Sequence, residues 1–223
     1  MAEVKVIKIN ENINAQNSLV AEDIRQEMKR NKILFLNFMS GPGSGKTTTL
    51  TGLINAMKKE YRIGEMDVDI ESSVDAQRVA DATGIQSMQI HNGGLCHIDA
   101  DMTRRALNEY SLEGLDLLIL ENIGNLVCPA EFDTGAHKNI ALLSVPEGDD
   151  KPLKYPLMFT VSDVVVINKM DTMPFFEFSL EKVSERIHRL NPKALIFPIS
   201  AKTGEGMESL INYIKEEIRK IKG

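Results

Sequence analysis

The sequence predicts one doubly wound α/β domain on a single, mostly parallel sheet, preceded by a short helical extension. Three observations carry that prediction. Short runs of nearly continuous Val, Ile and Leu recur along the chain, as expected of strands buried on both faces. Amphipathic stretches of helical length separate them, the alternation of a parallel sheet with its crossover helices. The chain of 223 residues, 43% hydrophobic and 26% charged, is also large enough to bury a full core without metal or disulfide staples.

Residues 1–32 read as the extension. Within them 18–32 (SLVAEDIRQEMKRNK) places Leu19, Ile24 and Met28 near one helical face, with acids early and bases late as the helix dipole favours. The domain proper spans 33–223. ILFLNFM (33–39) is a buried strand, followed by a glycine-rich turn and a helix to about residue 59. Strand patterns follow at 61–69 and 85–90, with a helix at 74–82 between them and another at 97–110. LDLLILEN (115–122), IALLSV (140–145), DVVVINK (163–169) and ALIFPIS (194–200) are strands; 175–190 and 207–221 are helices. In such sheets ligands sit at the carboxyl ends of the strands, so the loops after each strand hold the candidate site.

Charge and composition narrow the function classes. Lys and Arg number 26 against 32 Asp and Glu, a net charge of −6, so neither nucleic acid nor an anionic membrane is expected as a partner. No apolar run has the length of a membrane span, and MAEVKVIKIN has no signal-peptide pattern. With only two cysteines, the expected setting is a reducing cytoplasm with free thiols. The 11 methionines are scattered through apolar positions and read as core filler.

Ser40-Gly41-Pro42-Gly43-Ser44-Gly45-Lys46-Thr47 follows the first strand and opens a helix, the setting of a phosphate-binding P-loop. Backbone N–H groups there wrap the phosphates, Lys46 reaches the β- and γ-phosphates, and Thr47 holds Mg²⁺, with Thr48 next in line. Ser40 stands where the usual pattern has glycine. Asn168-Lys169-Met170-Asp171 looks like the NKxD motif of GTPases: the Asp171 carboxylate accepts from guanine N1–H and N2–H, which adenine does not offer. Ser200-Ala201-Lys202 resembles the SAK segment that contacts guanine O6 through its backbone. The expected nucleotide is therefore GTP.

Glu121-Asn122-Ile123-Gly124 holds the place of a DxxG motif, with Glu121 near Mg²⁺ and the Gly124 N–H sensing the γ-phosphate. Asp69 and Asp75 flank a candidate first switch. Asp75 is taken as the Mg²⁺-facing acid, although capping of the helix near Val74 fits these acids equally. Lys46, Thr47, Asp75 and Glu121 form the expected catalytic set. Asn125, rather than a water-orienting glutamine, follows Gly124, and no arginine finger is evident, so a slow intrinsic GTPase is predicted.

Both cysteines lie near these elements. Cys96-His97 opens the predicted helix 97–110, and Cys128-Pro129 lies just beyond Glu121. Thiolate and imidazole suit Zn²⁺ or Ni²⁺, but on sequence chemistry alone free cysteine is more commonly a small buried hydrophobe, and three ligands per chain do not close a site. His91 and His137 read as surface or supporting polar residues, and the run 147–151 as a solvated turn.

NFMSGPGSGKTT (37–48), HNGGLCHIDADM (91–102), ENIGNLVCPAEFD (121–133), SVPEGDDKPLKYP (144–156) and NKMD (168–171) closely resemble the HypB family, GTPases that help to insert nickel into nickel–iron hydrogenase. The resemblance covers the chain from Ile33 onward. It implies that Cys96, His97 and Cys128 form a nickel- or zinc-binding site at the interface of a GTP-linked homodimer. It also implies a HypA-type metallochaperone and the hydrogenase large subunit as partners, and a part for 147–151 in the nucleotide-dependent interface. The N-terminal cysteine motif or histidine-rich tract of some family members is absent from this sequence, so tight N-terminal nickel binding is not implied. Val68-Asp69 replaces the Gly-Asp that relatives tend to have. The competing readings are a urease-type nickel GTPase, disfavoured because its metal motif is Cys-Pro-His, a regulatory GTP switch without metal, and a P-loop kinase.

Overall fold

The computed structural model describes residues 10–69 and 74–223. Seven strands, β1 (Leu34–Ser40), β2 (Ile63–Asp69), β3 (Gln86–His91), β4 (Leu117–Gly124), β5 (Lys138–Ser144), β6 (Val164–Asn168) and β7 (Leu195–Pro198), make one sheet in the order β3-β2-β4-β1-β5-β6-β7. Every pairing is parallel. The order reverses direction at β1, which lies between β4 and β5, and that switch point leaves a crevice above the carboxyl ends of the central strands. Strands β1, β4 and β6 carry almost no exposed residue, the reason they read as unbroken apolar runs.

The helices are α1 (Asn10–Arg30), α2 (Lys46–Met57), α3 (Val74–Thr83), α4 (Ala100–Glu109), α5 (Lys151–Lys154), α6 (Pro156–Thr160), α7 (Leu180–Leu190) and α8 (Met207–Lys222). One face of the sheet packs against α2, α3 and α8 through Leu50, Leu53, Ile54, Val79, Leu210 and Ile214. On the other, α1 and α4 cover β1, β2 and β4, while α6 and α7 cover β5 and β6.

The helix expected at 18–32 begins earlier in the chain and is seated on the sheet. Ala21, Ile24 and Met28 are fully buried against Phe35, Leu118 and Leu120, whereas Leu19, expected on the same face, is 74% exposed. Burying two side chains of the size of Ile24 and Met28 is worth about 3–6 kcal/mol. The position explains the need. The β4–β5 crossover has only a single 3₁₀ turn at Cys128–Ala130, and α1 supplies the cover that a crossover helix gives elsewhere. Residues 1–9 of the expected extension lie outside the described residues.

Two element boundaries differ from expectation. The helix predicted from His97 starts at Ala100, where the Asp99 carboxylate accepts from the Met102 N–H at 2.8 Å as its N-cap. Cys96 and His97 therefore lie in an irregular loop, not on the helix, and Gly93 and Gly94 with φ of 72° and 84° turn the chain into that loop. The stretch 175–190 divides into a 3₁₀ segment ending at Phe175 and α7, capped by Ser179.

Candidate nucleotide site and thiol pair

The crevice at the switch point holds a cavity of about 980 Å³ lined by Pro42–Thr48, Asp67, Asp69, Asp75, Glu121, Gly124, Lys169 and Ala201 among others. The glycines make its floor. Gly43 and Gly45 have φ of 73° and 97°, and a Cβ on Gly45 would fall 2.5 Å from the Asn168 amide nitrogen. Gly45 caps α2, so the free N–H groups of that helix's first turn face the cavity, an arrangement that favours an anion. On Gly41, a Cβ would meet Glu147 Oε1 at 2.7 Å.

Lys46 Nζ donates to Ser40 Oγ at 3.0 Å, and desolvation lowers its ammonium below the ordinary lysine range against the pull of Glu121 and Asp67. Thr47 Oγ1 donates to Glu121 Oε1 at 2.9 Å. Burial raises the Glu121 carboxyl, and its second oxygen, like the Ser44 hydroxyl, is buried with no partner. An orphaned hydroxyl on the phosphate loop and an orphaned carboxylate oxygen beside Thr47 fit a bound phosphate and a hard cation respectively. Asp75, in the first turn of α3, lines the same cavity and accepts from Arg78 Nη1 at 3.1 Å.

The sequence reading missed Asp67. It pairs in register with Glu121 on β4, has a buried unpartnered Oδ2, and lies with Glu65 and Glu121 in a group whose ligand atoms are all within 4.8 Å. Burial, then the charges of Glu121 and Asp75, push the Asp67 carboxyl up to about 7. The signal was present in GEMDVD, where the period of a strand points Glu65, Asp67 and Asp69 to one face.

At the base end, β6 delivers Asn168, whose Nδ2 donates to the Ser44 carbonyl at 2.9 Å and whose Oδ1 accepts the Ala201 N–H at 3.0 Å. Lys169, held in the left-handed region at φ 62°, lays its stem over the phosphate loop and donates to the Gly43 carbonyl at 2.6 Å. Asp171 Oδ1 accepts from Ser200 Oγ at 2.7 Å. The 40–48, 168–171 and 200–201 segments thus interlock through side-chain bonds, while the Lys202 side chain points to solvent outside the cavity.

The thiols occupy the same edge of the sheet. Cys96 follows β3, Cys128 follows β4, and their Sγ atoms are 2.8 Å apart as free thiols. The hydrogen bond with Cys96, ahead of burial, raises the Cys128 thiol above the ordinary range. His97 does not join them into a three-ligand group; its ring stacks on Phe132, centroids 4.0 Å apart and 10° from parallel. Asn125, immediately after Gly124, bonds toward the thiol, its Oδ1 accepting the Val127 and Cys128 N–H groups and its Nδ2 donating to Cys128 Sγ at 3.6 Å.

The other expectations for polar residues resolve simply. His137 Nδ1 accepts the Phe35 N–H at 3.0 Å, and burial lowers its pKa. The run 147–151 is bonded rather than merely solvated: Glu147 Oε2 accepts from the Ser144 N–H and hydroxyl at 2.7 Å, and Asp149 pairs with Arg186 at 2.6 Å. Among the described residues no helix is long and apolar enough to cross a membrane.

Residues 35–198 match the family described as CobW/HypB/UreG, nucleotide-binding domain. The hydrogenase/urease maturation factor HypB of Helicobacter pylori is 41% identical over 219 residues, covering 96% of this chain and 89% of that one. The crystal structure of HypB from Helicobacter pylori in complex with nickel superposes with a TM-score of 0.85 at 40% identity, over 92% of this chain and 96% of that one. Archaeoglobus fulgidus HypB superposes at 0.84 with 35% identity, over 92% and 99%.

Proposed function

This chain belongs to the CobW/HypB/UreG family of nucleotide-binding proteins, and from that premise we propose that it is a GTP-hydrolysing metallochaperone that delivers nickel during the maturation of nickel–iron hydrogenase. The observation that carries the reading is the thiol pair, 2.8 Å across, at the edge of the sheet that also carries the phosphate loop. Mg²⁺·GTP is held by Lys46, Thr47, Glu121 and Asp75, with Asp171, Asn168 and the 200–202 segment on guanine. The resemblance of these segments to GTPases supports this assignment, as do the cavity lined by Lys46, Thr47, Glu121, Asp75, Lys169 and Ala201 and the bonds that tie Asp171 to Ser200 and Asn168 to Ala201 beside it.

Coupling runs along β4. Gly124 senses the γ-phosphate, and the next residue, Asn125, holds Cys128, so a shift of this segment moves one metal ligand relative to Cys96. Asn125 is committed to the thiol loop instead of to a water, in keeping with slow hydrolysis. Two or three ligands do not complete a site for nickel or zinc, and Leu95 and Val127, beside the two cysteines, are 42% and 47% exposed. A second copy closing over this edge completes both the ligand set and the apolar cover, which supports a GTP-linked homodimer. A HypA-type metallochaperone and the hydrogenase large subunit stand on either side of the transfer. Delivery toward urease is the second reading, favoured by the double name of the Helicobacter pylori relative.

The test is Ni²⁺ and Zn²⁺ binding by the full chain without nucleotide, with GDP and with a non-hydrolysable GTP analogue, while oligomeric mass is followed. Cys96→Ser and Cys128→Ser run beside it. Nucleotide-dependent binding that both substitutions abolish is expected. Absence of metal binding in every nucleotide state sinks the proposal in favour of a switch acting through protein contacts alone.

A further inference from the structure

The proposed ligands lie on two loop stretches, 96–99, which leads into α4, and 128–133, which opens with the 3₁₀ turn at Cys128–Ala130, and no strand pairing holds them together. They are joined in three places. The thiols meet at 2.8 Å and the His97 ring stacks on Phe132. The third link is Asn17, on α1: its Oδ1 accepts the Ala100 N–H at 2.8 Å, at the first residue of α4, and its Nδ2 donates to the Asp133 carbonyl at 2.9 Å. One side-chain amide thereby spans both stretches.

Further along α1, Arg25 fixes the second stretch again. Its Nη2 donates to both Asp133 carboxylate oxygens, at 2.9 and 2.8 Å, and its Nε donates to the Ala136 carbonyl at 3.1 Å. Gly135, at φ 83°, lies so close to α1 that a Cβ there would come 2.7 Å from Ile24 Cβ. Arg104 ties α4 to the same helix through Asp23 at 2.7 Å and through Glu27. The helix that fills the missing crossover is thus bolted to the chain on both sides of the thiol pair.

We infer that α1 is a clamp that sets the separation of the two thiol loops, with Asn17 and Arg25 as positioning residues for metal capture; the metal half of this rests on reading Cys96 and Cys128 as ligands. Loops held in place need no further ordering when a metal arrives, so the clamp raises the effective concentration of one thiol at the other. Release of either tie lets the irregular backbone part, and the ordering cost then falls on the binding step.

Two readouts on the full chain test this, using Asn17→Ala, Arg25→Met (which keeps the apolar stem) and, as control, Lys215→Met, which removes an ion pair with Glu60 on the other face of the sheet. In the first, the chain is equilibrated with a glutathione buffer. Cys96 and Cys128 give two electrons and two protons to glutathione disulfide, forming one intramolecular disulfide and two glutathione thiols. The equilibrium constant reports how readily the thiols meet. In the second, Ni²⁺ is titrated and the thiolate-to-nickel absorption followed. Asn17→Ala and Arg25→Met should each lower the disulfide equilibrium constant and the nickel affinity by about tenfold, the worth of one strong hydrogen bond, with Lys215→Met unchanged. An unaltered equilibrium in both clamp variants overturns the inference, as does a loss that simply follows melting temperature across all three. If the wild type binds no nickel yet the disulfide equilibrium falls as expected, the clamp stands and the ligand reading of the cysteines fails.

Discussion

Gly45 shows how one residue serves two motifs. Its φ of 97° is open to glycine and strained for any L side chain, and the missing Cβ leaves room for the Asn168 amide that bonds the Ser44 carbonyl. Gly45→Ala imposes a backbone cost of about 1–3 kcal/mol and pushes Asn168 away, so it should weaken binding of a fluorescent GDP analogue at least about tenfold. Unchanged affinity in a folded variant would mean that the Asn168 bridge does not set the loop. Glu65 offers a second residue-scale outcome. Burial, opposed by the Ser87 hydroxyl and reinforced by Glu121 and Asp67, pushes its carboxyl from an ordinary 4.5 up to about 8. The fold therefore binds this proton more tightly than the unfolded chain does. The stability so gained is complete below the ordinary value and disappears as pH rises through the folded one. The melting temperature of the nucleotide-free chain should fall between about pH 5 and about pH 9, and Glu65→Gln should flatten that slope, leaving the smaller share of Asp67. An equal slope in Glu65→Gln would assign the titration elsewhere.

At the scale of elements, what was legible depended on whether the cause was local. The central strands β1, β4, β5 and β6 were readable because burial on both faces leaves a continuous apolar run, and the phosphate loop because a glycine turn between strand and helix has few other uses. The site motifs at 40–48, 121–124 and 168–171 fell at strand ends for the same reason. The start of α4 was misplaced although its signal was local: Asp99 is the capping residue, and the two preceding glycines belong to the loop. The seat of α1 was not local at all. Its apolar stripe predicts a helix, but only the absence of a crossover helix between β4 and β5 explains where it goes, and that is a property of the assembled sheet. For Asp67 the strand period of GEMDVD was legible, but its neighbour Glu121 comes from another strand and only the sheet register brings the two together. The capping reading has a consequence: Asp99→Ala removes the bond to the Met102 N–H and should cost about 1 kcal/mol, lowering the melting temperature by a few degrees, roughly 2–4 °C, in calorimetry. No loss of stability would show that the bond from Ala100 to Asn17 is enough to start the helix.

For the whole molecule, the proposed function asks how a nucleotide above β1 would be felt at a thiol beyond β4. The path is short. Thr47 bonds Glu121 near the end of β4, Gly124 packs so close to the phosphate loop that a Cβ on it would lie 3.3 Å from Pro42 Cα, and Asn125 reaches Cys128. Coupling of this kind is reciprocal: whatever factor nucleotide exerts on metal affinity, metal exerts on nucleotide affinity. Asn125→Ala cuts the path at one place. It keeps the phosphate loop, Glu121 and both thiols, and removes the bonds to the Val127 and Cys128 backbone and to the Cys128 sulfur. The expected result is a separation of functions. GTP-analogue affinity without metal stays within about twofold of wild type, nickel without nucleotide still binds, and the effect of each ligand on the other shrinks toward unity. Paired titrations, nickel with and without the analogue and the analogue with and without nickel, must give the same coupling factor in the wild type, which checks the measurement itself. Full coupling in Asn125→Ala would move the signal off this strand end, and the exposed Leu95 and Val127 beside the thiols would make closure of a second copy the next route to test.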